Sequence, residues 1–273
     1  MAFKDILVEL AAGRGGDATR AFALGLGAST QAHVTGVAPI GDMDAGYLLA
    51  EAGAVMLSRS LAESTERANA LRSSFEADAA AAGVRAESLN LKLSAQHGDR
   101  VAAQLARHFD MTIVSQPQDD KAPDEPSILE AALFGSGRPV LIVPYIHRDP
   151  PRLDRAVLAW DGSREATLAL AGALPLLVRA AKVEIVTINR DRHVDFPGFN
   201  IARHLARHGV NAELKRVTTE LDVGNALLSH AVDTRADLLV MGGYAHSRFR
   251  ELVFGGATRT VLESMTLPVV MAH

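Results

Sequence analysis

The chain contains no cysteine. Disulfides, thiolate metal sites and a thiol nucleophile are therefore excluded. Aromatic residues are scarce, at 5% against 48% hydrophobic, so the apolar content comes from Ala, Val and Leu. That balance suits helices packed on a buried sheet better than an all-β sandwich. No run of about 18 apolar residues is present to span a bilayer. An excess of one charge is also lacking: the net charge is −4 with both signs interspersed, which offers no surface for a polyanion such as DNA. The opening MAFKDILVEL runs straight into a strand without a basic-then-apolar leader layout, so a cytoplasmic protein with no membrane and no nucleic-acid partner is expected. A G-x-S-x-G elbow, a phosphate loop ending in GK(S/T) and paired acids with an evident catalytic role are likewise missing. No catalytic residue is assigned.

What is present is length enough, at 273 residues, for two domains of about 130 residues each. Apolar spacing predicts a strand at Ile6–Leu10, a helix from Asp17 to Thr30, a strand at His33–Ala38 and a long helix over 44–82 with its one plausible break near Gly53. Strands at Val84–Leu93, Met111–Ser115 and Pro139–Pro144 alternate with helices at Asp99–Phe109 and Ser127–Phe134. Segment 145–153, rich in proline and charge, reads as a linker. The pattern then restarts, with strands at Ala156–Trp160, Val183–Ile188, Asn211–Val217, Leu238–Met241 and Pro268–Ala272. Helices at Ser163–Ala180, Ile201–His208, Val223–Thr234 and Glu251–Met265 lie between them.

The halves share details as well as order. FDMTIV at 109–114 parallels ADLLVM at 236–241, and GRPVLIV at 137–143 parallels TLPVVM at 266–271. An internal duplication is the simplest account. It gives an α/β protein of two tandem, five-stranded, mostly parallel sheets with helices on both faces, in domains 1–146 and 153–273. Ligands of such sheets bind at the carboxyl ends of strands, where strand order reverses.

One segment carries chemistry. Gly242 and Gly243 follow a buried strand and permit close approach of backbone, and Gly255, Gly256 and Thr258 offer further amides and a hydroxyl before the next helix. His246, Ser247, Arg248 and Arg250 add donors and positive charge between them. At the end of the half's first strand, Ala159-Trp160-Asp161-Gly162-Ser163 supplies a carboxylate and, in Ser163, a helix cap.

These residues resemble the universal stress protein family. Its nucleotide-binding members show G-x2-G-x9-G-(S/T), with an Asp after the first strand. Here the pattern runs Gly242, Ala245 in place of the second glycine, the nine residues His246 to Phe254, and Gly255-Gly256. The resemblance implies a tandem member of the adenine-nucleotide α-hydrolase-like fold that binds ATP, with or without Mg2+, in its second half. Asp161, beside Ala159 and Trp160, would meet base or ribose, and Ile188 would pack on adenine. Met241, Gly242, Gly243, Ala245, His246, Gly255, Gly256, Ala257 and Thr258 would surround the phosphates. It also implies an intramolecular pseudo-dimer with the strands at 139–144 and 268–272 near the interface, and leaves a homodimer open. In the first half Leu10 and Ala11 stand where the Asp would be, an insertion Ala12 to Gly16 follows, and SQPQDDK at 115–121 replaces the glycines. No ATP site is expected there. Gly135-Ser136-Gly137 reads as a turn before a strand.

The leading expectation is a nucleotide-responsive stress or regulatory protein, with slow ATP hydrolysis left open. Two alternatives stand beside it: an interaction module with both sites decayed, and a nucleotide-dependent ligase or transferase of the same superfamily. His204 and His208, four apart on a helix, read as an exposed polar face, and His97, His108 and His230 as surface or helix-end residues. The 44–82 helix reads chiefly as packing, with a partner surface as the second reading.

Overall fold

The computed structural model describes residues 2–42, 51–94, 97–117, 127–148, 150–189, 200–244 and 256–273. The chain divides into two compact units, Ala2–Pro150 and Pro151–His273. The first contains β1 (Asp5–Glu9), α1 (Gly13–Thr30), β2 (His33–Asp42), α2 (Glu51–Ala81), β3 (Ala86–Ser94), α3 (Gly98–Ala106), β4 (Met111–Ser115), α4 (Ile128–Gly135) and β5 (Val140–Val143). Its strands lie in the order β3-β2-β1-β4-β5, and the pairings are parallel. The second contains β6 (Arg155–Ala159), α5 (Arg164–Leu177), β7 (Lys182–Ile188), α6 (Ile201–Arg207), β8 (Ala212–Val217), α7 (Val223–Asp233), β9 (Leu238–Gly242), α8 (Gly256–Ser264) and β10 (Val269–Ala272). It repeats the order as β8-β7-β6-β9-β10, again in parallel.

Right-handed crossovers that run outward from β1 and then return past it place helices on both faces of a sheet. Accordingly α1 touches α2, while α3 packs on α4 and α7 on α8. Strands covered on both faces lose the alternation of polar and apolar residues. β5 (VLIV) and β10 (VVMA) are buried at every position. Local signals set the helix ends. Ser127, Ser163, Asn200 and Asp222 each accept the backbone N–H three residues on, which satisfies a donor that the helix leaves open. Gly83 and Gly209, with φ of +64° and +79°, end α2 and α6 in the left-handed region that glycine tolerates best.

The duplication extends to individual hydrogen bonds. Asp110, before β4, accepts the N–H groups of Lys4 and Asp5 at 2.7 and 3.2 Å. Asp237, before β9, accepts those of Asp154 and Arg155 at 3.1 and 2.9 Å. Leu10 N–H donates to Val37 as Trp160 N–H donates to Val186, and Gln116 N–H donates to Val143 as Gly243 N–H donates to Ala272. These pairs set the equivalences used below: Leu10 with Trp160, Ala11 with Asp161, Ser115 with Gly242 and Gln116 with Gly243.

Several elements differ from the sequence reading; β2 runs on to Asp42, past the expected end at Ala38, and α3 ends at Ala106 rather than Phe109. α1 starts at Gly13, so the stretch read as an insertion is its first turn. Glycine is a poor helix former, yet Gly16 is required: a β-carbon there would lie 1.8 Å from the Ala11 carbonyl oxygen. α2 runs unbroken through Gly53, the part of the expected helix at 44–50 lying outside the described residues. β9 extends to Gly242, which pairs with Ala272. Gly137, with φ +72°, forms the expected turn before β5. Among the described residues no helix is long and apolar enough to cross a membrane.

Candidate functional site

Strand order in the second unit reverses between β6 and β9, which are neighbours although sequence places β7 and β8 between them. Their carboxyl ends carry Asp161 and Gly242. Asp161 leaves β6 half-buried, and its Oδ1 accepts the Ser163 N–H at 2.9 Å across Gly162, whose φ is +73°. Ser163 Oγ in turn accepts the Ala166 N–H at 3.1 Å. The carboxylate is thus oriented by the turn that starts α5. Ala159 and Trp160 are half-buried beside it.

Gly242 faces the same turn. A β-carbon on it would lie 2.7 Å from Ala166 N and 2.9 Å from Glu165. Its lack of a side chain lets β9 meet the start of α5, so its close approach is first to protein backbone. Met241 is buried in the sheet and can offer a ligand only its main chain. Ile188 is half-buried at the end of β7. It is followed by Asn189, left-handed at φ +51°, whose amide donates to Thr219 O at 2.8 Å and accepts Thr219 N–H at 2.9 Å.

Beyond β9 the main chain is engaged within the protein. Gly243 N–H donates to Ala272 O at 2.9 Å, His273 Nδ1 donates to Gly243 O at 3.0 Å, and Tyr244 N–H donates to Thr258 Oγ1 at 3.1 Å. Thr258 is buried, and its oxygen fastens the loop rather than standing open to a phosphate. Gly256, exposed at the start of α8, has nothing within 4 Å of the position a β-carbon would take. Ala257 is half-buried next to it. A helix N-terminus with open space above a glycine fits an anionic group. The oriented Asp161 carboxylate fits a hydroxyl or amine donor. Ala245, His246 and Gly255 lie outside the described residues.

The structure therefore sets Asp161 and Gly242 each against the start of α5, through Ser163 and through Glu165 and Ala166, and links Gly243 to Thr258 through Tyr244. Glu165, Asn189 and His273 were not read from sequence as belonging to this end of the sheet, and Tyr244 was given no role there. Only Asn189, an asparagine just after a strand, carries a local signal, since asparagine tolerates the left-handed region.

The equivalent end of the first unit is differently filled. Ala11 replaces the carboxylate. Ser115 replaces Gly242 and meets Thr19, hydroxyl to hydroxyl, at 3.0 Å. Gln116 is buried, and its Oε1 accepts Tyr145 N–H at 3.4 Å.

Among the described residues no group of three or more His, Asp or Glu is placed to hold a metal ion. His204 on α6 and His208 at its C-terminal cap are both exposed, their ring centroids 4.8 Å apart. His230 lies in the last turn of α7, a helix-end position as expected, and is half-buried there, with Nε2 3.0 Å from Glu184 Oε2. Glu184 also receives Lys182 Nζ at 2.7 Å. The Lys182 hydrogen bond, helped by His230 and opposed by burial, holds the Glu184 carboxyl below its ordinary value. The same bond to Glu184 raises Lys182 above the usual lysine value. At α7, backbone and side-chain donation from Asn225 lowers Asp222.

Two doubly wound α/β units, the second with an acid and a glycine at its switch point, define the class of protein. Residues 195–273 match the model of the universal stress protein family. It is 29% identical over 151 residues to universal stress protein Slr1230 of Synechocystis sp., an alignment covering 52% of this chain and 49% of that relative. The chain thus spans about half the length of the curated relative it matches. Among solved structures, it is similar to a universal stress protein from Archaeoglobus fulgidus DSM 4304 at TM-score 0.75 and 15% identity, covering 98% of this chain and 95% of that one. A functionally unknown protein from Pseudomonas aeruginosa PAO1 is similar at TM-score 0.58 and 16% identity, with 98% and 92% covered. At such identities these likenesses establish the fold.

Proposed function

We propose that the second unit binds ATP at the carboxyl ends of β6, β7 and β9, and that the protein acts as a nucleotide-responsive stress or regulatory protein of the cytoplasm. Asp161 receives a ribose hydroxyl or the adenine amine, Ile188 offers its exposed edge to the base, and the first-turn amides of α8 at Gly256 and Ala257 face the phosphates. Mg2+, where required, is carried on the phosphates. No catalytic residue is assigned. The reading rests on one observation above the others: where strand order reverses, Asp161 accepts the Ser163 N–H just before α5 and Gly242 abuts Glu165 and Ala166 in the first turn of that helix. ATP regulates only by favouring one conformation or assembly over another.

One observation favours a second reading, an interaction module without nucleotide. The amides of Gly243 and Tyr244 already donate within the chain, which leaves fewer donors for phosphate.

Thermal unfolding with added ATP separates the two. A ligand at about 100 times its Kd stabilises the native state by about 2.7 kcal/mol, so the melting midpoint rises under the first reading. Asp161→Ala and Gly256→Val variants lose that rise. An unchanged midpoint for the wild type at millimolar ATP, with no nucleotide released from the denatured protein, refutes nucleotide binding.

A further inference from the structure

We infer that Thr258 and His273 are positioning residues for the carboxyl end of β9: together they grip one peptide unit, the Gly243–Tyr244 bond, at both of its polar atoms. His273 Nδ1 donates to the carbonyl oxygen of that unit at 3.0 Å, and its N–H donates to Thr258 Oγ1 at 3.1 Å. A carbonyl only accepts, so Nδ1 carries the proton. Held at both ends, the peptide plane cannot rotate about its flanking bonds without losing two hydrogen bonds at once.

Tyr244 has φ +57°, a conformation disfavoured for a bulky side chain, and it is 7% exposed. A flip of the plane would take Tyr244 out of the left-handed region and relieve that strain, but only by breaking both hydrogen bonds. A strained residue persists where its surroundings over-determine it, and the two grips supply that determination.

The first unit provides the contrast. By the ladder bonds that pair Gln116 with Gly243, Pro117 stands where Tyr244 stands. Proline has no N–H and is fixed near φ −65°, so it can neither donate to a Thr258-like oxygen nor turn left-handed. The device belongs to the unit that carries the glycines alone. Its role in ligand binding rests on the nucleotide reading above, whereas the grip itself does not.

The test uses the full chain and two pairs of variants: Thr258→Val with Thr258→Ser, and His273→Ala with His273→Asn. Serine keeps the hydroxyl, and the asparagine amide nitrogen can stand in for Nδ1. Amide exchange of Gly243 and Tyr244 is followed without nucleotide, and ATP affinity by the fluorescence of Trp160, the only tryptophan. Thr258→Val and His273→Ala are expected to speed Tyr244 exchange and weaken ATP binding, each about tenfold, the loss of one well-placed hydrogen bond. Serine and asparagine restore both. Should either first variant fail to fold, the other pair decides. Exchange that is no faster in the valine and alanine variants overturns the grip. Faster exchange with unchanged ATP affinity overturns the positioning role. A wild type that does not bind ATP overturns the nucleotide reading and with it the role in binding, while the exchange rates still decide the grip.

Discussion

A β-carbon on Gly242 would stand 2.7 Å from the amide nitrogen of Ala166. The obstacle is helix backbone, which cannot swing aside as a side chain can. Gly242→Ala is therefore expected to destabilise the fold by about 1–3 kcal/mol through overpacking, read as a lower denaturation midpoint without nucleotide. Gly256→Ala is the contrast. Space is open there, and alanine favours a helix over glycine by about 1 kcal/mol, so stability should hold or rise. Equal losses from the two substitutions would contradict this account.

Glu184 makes stability depend on pH from both sides. Its carboxyl is lowered chiefly by the Lys182 hydrogen bond, so its contribution is complete above the ordinary value of 4.5 and disappears as pH falls through the lower folded-state value. Lys182 is raised by the same bond, so its contribution is complete below the ordinary value of 10.5 and disappears as pH rises through the higher folded-state value. Glu184→Gln should cost about 1–2 kcal/mol at neutral pH and flatten the acid limb of a melting-midpoint profile. A variant with an acid limb as steep as the wild type's would remove Glu184 as its source.

Asp110 and Asp237 each tie the start of one strand to the start of the next. Replacing either with alanine leaves two N–H donors to water, at a cost of about 1–2 kcal/mol. Asparagine keeps an acceptor oxygen and should recover part of it. Urea titration of the four single variants checks both claims, and the equivalence of the units requires that the two positions respond alike.

Asn189 bridges to Thr219 through both halves of its amide while holding a left-handed backbone. Asn189→Gly tolerates the backbone but loses the bridge. Asn189→Val loses the bridge and adds steric strain of about 1–2 kcal/mol. The valine variant should therefore melt below the glycine variant. The reverse order would mean that the φ of this residue carries no weight.

The frame was legible because strands covered on both faces leave short apolar bursts. β4 (MTIVS) and β5 (VLIV) stand out in sequence for that reason. The start of α1 was hidden because Gly13, Gly15 and Gly16 look like a loop, and only the Ala11 carbonyl pressed against Gly16 shows why glycine is needed inside a helix. Asp161 and Gly242 could be picked out by their places after strands. What Gly242 touches could not, since Glu165 and Ala166 are remote in the chain. The Glu184–His230 contact spans 46 positions, and no local pattern marks it. Ala245, His246 and Gly255 fall outside the described residues, and their assignment comes from the resemblance to the family's motif.

The braces formed by Asp110 and Asp237 sit where strands begin, whereas the residues assigned to a ligand sit where strands end. The scaffold's foundations and its working rim are thus at opposite poles of each unit. One copy can lose or exchange every rim residue, as Ala11, Ser115 and Pro117 illustrate, without loosening the foundations. A designer can graft new rims onto either copy on the same terms.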